Sequence, residues 1–241
     1  MTLQFKFFDE AGAEHAPQLL EGLRYRSELI GQTEEAELVA RVRELPFREF
    51  EFHGYTGKRR VVSFGWKYDF SGGQLMKADN IPDFLLELRT LAASFAHMEP
   101  AVLQQALVTE YRPGAGIGWH RDKAVFGQVV GISLLTPCVL RFRRKVSESP
   151  SHDQGARQSE EVKVNRQGKD KYRTGSGSDR VVAKQQSQRV KAKREWERVN
   201  VLAEPLSAYH LSGPARSVWE HSILRVDALR YSITFRNVLE D

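Results

Sequence analysis

The sequence predicts a mainly β (α+β) domain, a sandwich or jelly roll of short strands supported by helices near its beginning. Several short segments alternate apolar and polar residues or are rich in β-branched and aromatic residues, and turn-forming residues bound them, as is typical of strands. Two segments in the first hundred residues show the apolar spacing of amphipathic helices. Many short strands with few helices favour a sandwich or jelly roll.

The predicted helices are Glu34–Arg43, which ends before Pro46, and Pro82–Met98. A further short helix is predicted over residues 189–199. The predicted strands are 3–8, 47–52, 61–70, 106–111, 129–135, 138–143, 206–213 and 231–236. Strands therefore dominate the second half of the predicted fold.

Composition and charge narrow the class of protein. Cys138 is the one cysteine, which excludes an internal disulfide and favours a reducing compartment. The chain shows no secretory signal and no apolar run of the ~20 residues that a membrane helix needs. We therefore expect a soluble monomer in the cytoplasm, or in the nucleus of a eukaryote. The formal net charge is +5, which favours a polyanionic partner if the charge lies on a folded face.

The domain organisation follows from one polar stretch. Residues 147–188 are rich in Ser, Gln, Gly, Lys and Arg and nearly lack large apolar residues, so they cannot bury enough surface to offset the entropy of ordering. We expect a single domain over 1–241, with supporting helices in 1–100, a core in 101–146 and 200–241, and a flexible basic insertion at 147–188.

A possible metal site lies in Trp119-His120-Arg121-Asp122. On an extended segment alternate side chains share a face, so His120 and Asp122 point the same way. With a second histidine they form a 2-His-1-carboxylate triad, which leaves metal positions open. An isolated His-x-Asp is also common on surfaces, and His221 and His210 both remain candidates for the third ligand.

Two arginines near the C-terminal end indicate an anion site. Arg230 and Arg236 are six residues apart, so on a strand both lie on one face, with Ser232 and Thr234 between them. Two guanidinium groups on a buried face are costly unless an anion is present, and a dicarboxylate satisfies both through charge-assisted hydrogen bonds. The alternative is a solvated edge strand.

Three blocks of the chain resemble one known family. They are Tyr111–Lys123, Leu211–His221 and Arg230–Arg236, and they occur in the order found in the AlkB branch of the iron(II)- and 2-oxoglutarate-dependent dioxygenases. The resemblance implies a double-stranded β-helix (jelly-roll) core with N-terminal supporting helices and a nucleotide-lid-like hairpin. It also implies Fe(II) bound by His120, Asp122 and His221.

The same resemblance implies the position of 2-oxoglutarate. Its distal carboxylate is expected on Arg230 and Tyr111, and Arg236 is expected near the keto-acid end. Thr109 and Ser232 stand where well-studied members have asparagine, and both can still hydrogen-bond. The implied chemistry converts 2-oxoglutarate and O2 to succinate and carbon dioxide while a C–H bond is hydroxylated, so that an N-methyl group leaves as formaldehyde.

The expected substrate is an alkylated base of single-stranded DNA or RNA. The resemblance extends more loosely to Phe50–Leu75, within which the segment 53–73 is the counterpart of the family's nucleotide lid. There Arg59 and Arg60 lie close to Trp66 and Tyr68, a mixture of cations and aromatic rings that suits phosphates and a flipped base. The alternative is a core hairpin with a solvated basic turn.

One position departs from the family pattern. Ala124 stands where the bacterial DNA-repair type has an acidic residue that contacts the damaged base. This leaves open a second function, an AlkB-like oxygenase that acts on protein or a small molecule. A third, a binding module without chemistry, is disfavoured by the complete triad and both arginines.

Overall fold

The structure is a computed structural model. It describes residues 3–4, 20–52, 55–146 and 195–239. Contacts divide the chain into one unit formed by Met1–Lys145 with Trp196–Asp241 and another formed by Val146–Glu195. The helices and strands of the described residues all belong to the first unit. The flexible insertion predicted at 147–188 lies outside the described residues.

The predicted N-terminal helices are confirmed. Helix α1 spans Gln32–Arg43 and buries Leu38, Val39 and Val42. Helix α2 spans Leu86–Ala96, follows a 3-10 turn at Asp83–Leu85, and ends at His97 in the left-handed conformation. A second 3-10 turn, Pro100–Val102, and a short helix α3, Gly213–Ser217, complete the set. None of the helices in the described ranges combines the length and apolarity needed to cross a bilayer.

Fourteen strands lie in the described residues. They are β1 (Leu3–Gln4), β2 (Leu23–Arg26), β3 (Arg48–Phe52), β4 (Tyr55–Phe64), β5 (Trp66–Asp69), β6 (Gln74–Lys77), β7 (Gln105–Tyr111), β8 (Ile117–His120), β9 (Phe126–Leu134), β10 (Cys138–Lys145), β11 (Trp196–Ala203), β12 (Ala208–Leu211), β13 (Glu220–Ile223) and β14 (Arg230–Val238). The mainly β class with supporting helices is therefore confirmed.

The strands form two large sheets and one hairpin. The larger sheet has the order β2-β12-β9-β14-β7-β4-β3, and the smaller has the order β1-β11-β10-β13-β8. Strands β5 and β6 pair only with each other among the described strands. From β7 to β14 consecutive strands alternate between the two large sheets, except that β10 and β11 form a hairpin within the smaller sheet. This is the connectivity of a jelly roll.

The larger sheet is buried on both sides. Tyr231, Ile233 and Phe235 of β14 pack into one apolar cluster with helices α1 and α2. Residues on the other side of the same sheet, such as Tyr111 and Val129, pack with apolar residues of the smaller sheet. Because side chains alternate along a strand, the remaining residues of β14 must face the smaller sheet.

The prediction of one continuous strand over 61–70 is wrong. The chain breaks at Gly65, which has a φ of 72° and whose backbone N–H donates to the Asp79 carbonyl at 2.6 Å. A Cβ atom at Gly65 would overlap the Gln104 carbonyl oxygen, so only glycine fits this bend. Phe64 therefore lies in the core, whereas Trp66 begins a separate hairpin.

The helix predicted over 189–199 is wrong where the structure describes it. Residues 196–199 belong to β11, which pairs with β10 so that Arg198 lies opposite Arg143. Pairing with β10 buries Val199 between the sheets, and this tertiary contact outweighs the local helical tendency. Residues 189–194 lie outside the described residues.

The bend at Gly65 gives a stability prediction. Gly65→Ala is expected to lower the free energy of unfolding by at least about 1–3 kcal/mol, because the left-handed backbone and the Gln104 carbonyl both oppose a side chain. Gly118→Ala is the matched control, since no atom lies within 4 Å of its Cβ position. Denaturant unfolding measures both variants, and equal stabilities would contradict the proposed role of Gly65.

Candidate active site

Pairing of β13 with β8 brings three candidate metal ligands together. His221 lies directly opposite His120, and their ring centroids are 4.2 Å apart. Asp122 follows β8, and its Oδ2 lies 4.0 Å from His221 Nε2. The three donor atoms lie within 4.8 Å of one another, and no other cluster of this kind occurs in the described part of the chain.

The protonation states of the cluster suit a cation. Burial lowers the pKa of His120 and lowers that of His221 to about 4, despite the nearby Asp122 carboxylate. Burial opposes ionisation of Asp122, but the positively charged groups around it, of which Arg236 has the largest effect, together outweigh burial and hold the pKa of this carboxyl well below its usual range. At neutral pH the cluster therefore offers two neutral imidazoles and one carboxylate, the donor set of non-haem Fe(II) oxygenases.

The tautomer of His120 is set by its own strand. Its Nδ1 lies 2.9 Å from the Gly118 carbonyl oxygen, an acceptor, so Nδ1 carries the proton. The lone pair is then on Nε2, the ring nitrogen left for a metal. The sequence alone did not determine which nitrogen is available.

His210, the rival third ligand, lies elsewhere. It is buried on β12, where its Nε2 is 2.7 Å from Gln128 Oε1 and its ring is 6.4 Å from that of Phe95. It is not part of the triad cluster. The structure thus groups His221, rather than His210, with His120 and Asp122.

Arg236 is held against the candidate metal ligands. Its Nη2 donates to Asp122 Oδ1 at 3.2 Å and its Nη1 donates to Gln105 Oε1 at 3.1 Å. The Asp122 oxygen toward His221 is Oδ2, so the contact with Arg236 uses the other oxygen. Arg236 therefore orients the carboxylate and compensates its charge.

Arg230 is fully buried, and no described residue forms an ion pair with it. Its Nη2 donates to Ser133 Oγ at 3.0 Å, and its guanidinium lies 4.8 Å from the centre of the Tyr111 ring. Its Nε and Nη1 have no hydrogen-bond partner within the described ranges. A buried cation with free donors is strongly destabilising unless an anion reaches it, which fits a bound carboxylate.

Hydroxyl groups extend this polar patch across three strands. Ser232 of β14 lies opposite Thr109 of β7 and opposite Ser133 of β9, and all three are buried. Sequence reasoning missed Ser133, although a serine in the apolar run 129–135 is a detectable signal of a polar inward position.

The two neighbouring lid arginines point in opposite directions. Arg59 lies opposite Tyr111 in the sheet, so it faces the site, and its guanidinium lies 3.8 Å from the centre of the Phe50 ring. Arg60 donates from Nε and Nη2 to the Glu110 carboxylate at 2.8 Å. The structure therefore does not bring Arg60 to the site, because alternation directs it to the helix side of the sheet.

The aromatic lid residues also separate. Tyr68 lies under the Lys123 ammonium group, with Nζ 4.8 Å from the ring centre, so the hairpin contacts the segment that follows Asp122. Phe70 links Tyr68 to Phe50 through edge-to-face contacts at 5.1 and 5.4 Å. Trp66 instead lies under Lys77 of the partner strand, at 3.6 Å.

A cavity of about 540 Å³ adjoins Asp122, a volume typical of ligand sites. Its lining residues are Arg121, Asp122, Ala124, Phe126, Gly127, Gln128, Ser212, Gly213, Arg216, Ser217 and Leu239. Arg216 donates to the carbonyl oxygens of Lys123 and Phe126 at 2.6 and 2.5 Å. Burial lowers its pKa, partly offset by Asp122.

The fold is similar to solved oxygenase structures. OsALKBH1 superimposes with a TM-score of 0.53 at 14% identity, over 90% of this chain and 98% of that one. A 2OG-Fe(II) oxygenase family oxidoreductase from Burkholderia pseudomallei gives a TM-score of 0.53 at 15% identity, over 99% of this chain and 95% of that one. No curated protein matches the chain by sequence.

A sequence model of a protein family shows to which family the chain belongs, which these distantly related structures alone do not show. The model described as the 2OG-Fe(II) oxygenase superfamily matches residues 22–236, a range that includes all three candidate metal ligands and both buried arginines. Its enzymes are dioxygenases that use Fe(II), 2-oxoglutarate and O2. The chain belongs to the 2OG-Fe(II) oxygenase superfamily, and the AlkB-like architecture inferred from its motifs is the fold that it adopts.

Proposed function

We propose that this oxygenase removes methyl groups oxidatively from alkylated bases of single-stranded DNA or RNA. The observation that supports this substrate class best is the wall formed by Arg59, Tyr68 and Lys123 next to the triad. Cations and aromatic rings in one wall suit a strand whose phosphates and bases must both be held. The AlkB-type motifs and the likeness to the fold of OsALKBH1 accord with this substrate class.

The triad residues have the metal role in this proposal. His120, Asp122 and His221 would hold Fe(II), which together with 2-oxoglutarate and O2 supplies the oxidising power for hydroxylating a C–H bond. Gly118 keeps the His120 proton on Nδ1, and Arg236 keeps Asp122 ionised and oriented. These contacts preorganise the ligands before a metal binds.

The buried face of β14 would hold 2-oxoglutarate. Arg230 offers Nε and Nη1 to a carboxylate, because neither donor is used by a described residue. Tyr111 and the hydroxyls of Thr109 and Ser232 line the same side of the sheet. Exclusion of water from this face strengthens the charge-assisted hydrogen bonds of Arg230.

The cavity beside Asp122 favours a second candidate function, oxidation of an anionic small molecule or of a protein side chain. Ala124 lines this cavity in place of a carboxylate, whereas Arg121 and Arg216 contribute positive charge. Asp122 is the one acidic residue among the described residues that line it, and Arg236 already pairs with Asp122. Such a lining selects a ligand that accepts hydrogen bonds or carries negative charge.

The metal assignment is tested by binding. Asp122→Ala and His221→Ala are each expected to abolish binding of Co(II), a spectroscopic substitute for Fe(II), because each removes a ligand atom. His210→Gln is the control, and its affinity should equal that of the original protein because His210 lies outside the cluster. Titration followed by visible absorption measures all three. Metal loss in His210→Gln with retention in His221→Ala would reverse the assignment.

The assignment of the 2-oxoglutarate site is tested by measuring how succinate release depends on the concentration of 2-oxoglutarate. Arg230→Ala is expected to raise the 2-oxoglutarate concentration for half-maximal succinate release by between about tenfold and 150-fold, the equivalent of a charge-assisted interaction of about 1.5–3 kcal/mol. Co(II) binding should be unchanged, which shows that the site is still folded. An unchanged 2-oxoglutarate requirement would place the co-substrate away from Arg230.

The substrate class is tested by stimulated turnover. Methylated single-stranded DNA or RNA is expected to increase succinate release and to yield formaldehyde, and Arg59→Ala should weaken this stimulation while leaving the release without substrate unchanged. Lys58→Ala removes the same charge from the neighbouring residue, which is exposed, and it should have little effect. Stimulation by an anionic small molecule but by neither nucleic acid would favour the second candidate.

A further inference from the structure

The outer face of the smaller sheet carries a row of cations. Leu140 and Phe142 of β10 point into the apolar cluster between the sheets. Arg141, Arg143 and Lys145 alternate with them and therefore lie on the outer side, spaced by about 7 Å, the rise of two strand residues. Arg198 of β11 lies opposite Arg143 and extends the row sideways.

Two indole rings flank the row. The Arg143 guanidinium lies 4.4 Å from the centre of the Trp119 ring and 4.3 Å from that of Trp196. Arg141 lies 4.8 Å from the Trp119 ring. Both tryptophans are partly exposed. Contact with the rings holds the guanidinium groups in place and reduces the entropy that binding would otherwise cost.

The Nε atoms of Arg141 and Arg143 already donate hydrogen bonds within the protein. Arg143 Nε donates to Glu220 Oε2 at 2.7 Å, and Arg141 Nε donates to Ser222 Oγ at 3.0 Å. Their Nη groups make no hydrogen bond to the residues that the structure describes. Glu220 is the one carboxylate on this outer side among the described residues of β8, β10, β11 and β13, so the face is positive.

We propose that this outer face, formed by Trp119, Arg141, Arg143, Lys145, Trp196 and Arg198, binds single-stranded nucleic acid outside the candidate active site. Phosphates accept hydrogen bonds from the free Nη groups, and bases stack on the exposed parts of the indoles. The inference extends the proposed nucleic-acid substrate, and its physiological meaning rests on that function.

The face lies directly behind the triad. Trp119 precedes His120 on β8, and Glu220 precedes His221 on β13. Each pair of neighbours points to opposite sides of the same sheet. A strand held on the outer face is therefore one sheet thickness from the candidate metal site, and a strand of sufficient length can bind both.

Other occupants fit the face less well. An acidic peptide would pair with the cations but would leave both indoles without stacking partners, and a duplex would hide its base faces. The polar segment 147–194 has twelve Lys and Arg against six Asp and Glu, so its charge has the same sign as that of the face. Charge complementarity together with the two indoles thus favours a single strand.

The test is binding of a fluorescent, unmethylated single strand of about 15 nucleotides to the full chain at several salt concentrations. Arg141→Gln with Arg143→Gln is expected to lower the affinity at least about tenfold. It should also reduce the slope of log K against log salt by about 1.4, or about 0.7 for each phosphate that the variant no longer neutralises. Trp196→Ala should lower the affinity without changing this slope.

The matched control removes the same charge elsewhere. Arg26→Gln with Arg41→Gln changes two arginines that are exposed on β2 and α1, and it should leave both affinity and slope nearly unchanged. Equal effects in the two double variants would mean that only net charge matters, and would overturn the proposal. Unchanged strand binding in the Arg141→Gln, Arg143→Gln variant, when its thermal unfolding is normal, would also overturn the proposal. Displacement of the labelled strand by polyglutamate as effectively as by unlabelled single strand would overturn it as well.

A second readout separates this inference from the proposed function. Turnover of a methylated nucleoside, which is too short to reach the face, should be the same in the Arg141→Gln, Arg143→Gln variant as in the original protein. Loss of strand binding in that variant, with no demethylation by any form of the protein, would support the face and reject the proposed reaction. Demethylation of strands with strand binding unchanged in the variant would support the reaction and reject the face.

Discussion

Strand β14 must be buried on both sides, and the arrangement of the site depends on this constraint. It lies between β9 and β7 in the larger sheet, with an apolar side packed on the helices and a side facing the smaller sheet that carries Arg230, Ser232 and Arg236. Burying the apolar side stabilises this arrangement by on the order of 25 cal/mol for each Å² removed from water. The same packing holds two guanidinium groups where water cannot solvate them. Each of these groups therefore requires an anionic partner.

The charges of the two buried arginines are compensated in different ways. Arg236 is matched within the protein by Asp122, and the pair stabilises an ionised carboxylate next to two neutral imidazoles. Arg230 instead donates to the Ser133 hydroxyl and lies against the Tyr111 ring, and its Nε and Nη1 have no hydrogen-bond partner among the described residues. A cation held by the triad and an anion held by Arg230 would compensate each other's charge on this polar surface between the sheets.

In the lid region, the sequence alone did not predict which residues face the site. The cluster of cations and aromatic residues was recognisable in the sequence. The sequence also predicted that Arg60 binds substrate, whereas Arg60 pairs with Glu110 on the helix side of the sheet. Neighbouring residues of a strand point to opposite sides, so only one of Arg59 and Arg60 can face the site, and the bend at Gly65 changes which later residues share that side. The strand pattern around residue 61 was correct, whereas the bend depends on Gln104, some forty residues away.

Local spacing was sufficient for the class of fold, for the common side of His120 and Asp122, and for the common side of Arg230 and Arg236, because alternation along a strand is a property of consecutive residues. Spacing alone left both His221 and His210 open, and although the family resemblance pointed to His221, its position beside His120 depends on the pairing of β13, and not β12, with β8. The same holds for Ser133, the cavity at Ala124 and Arg216, and the row of cations between Trp119 and Trp196. Each depends on contacts between strands far apart in the chain, and sheet pairing is determined by burial of the whole core rather than by any one segment.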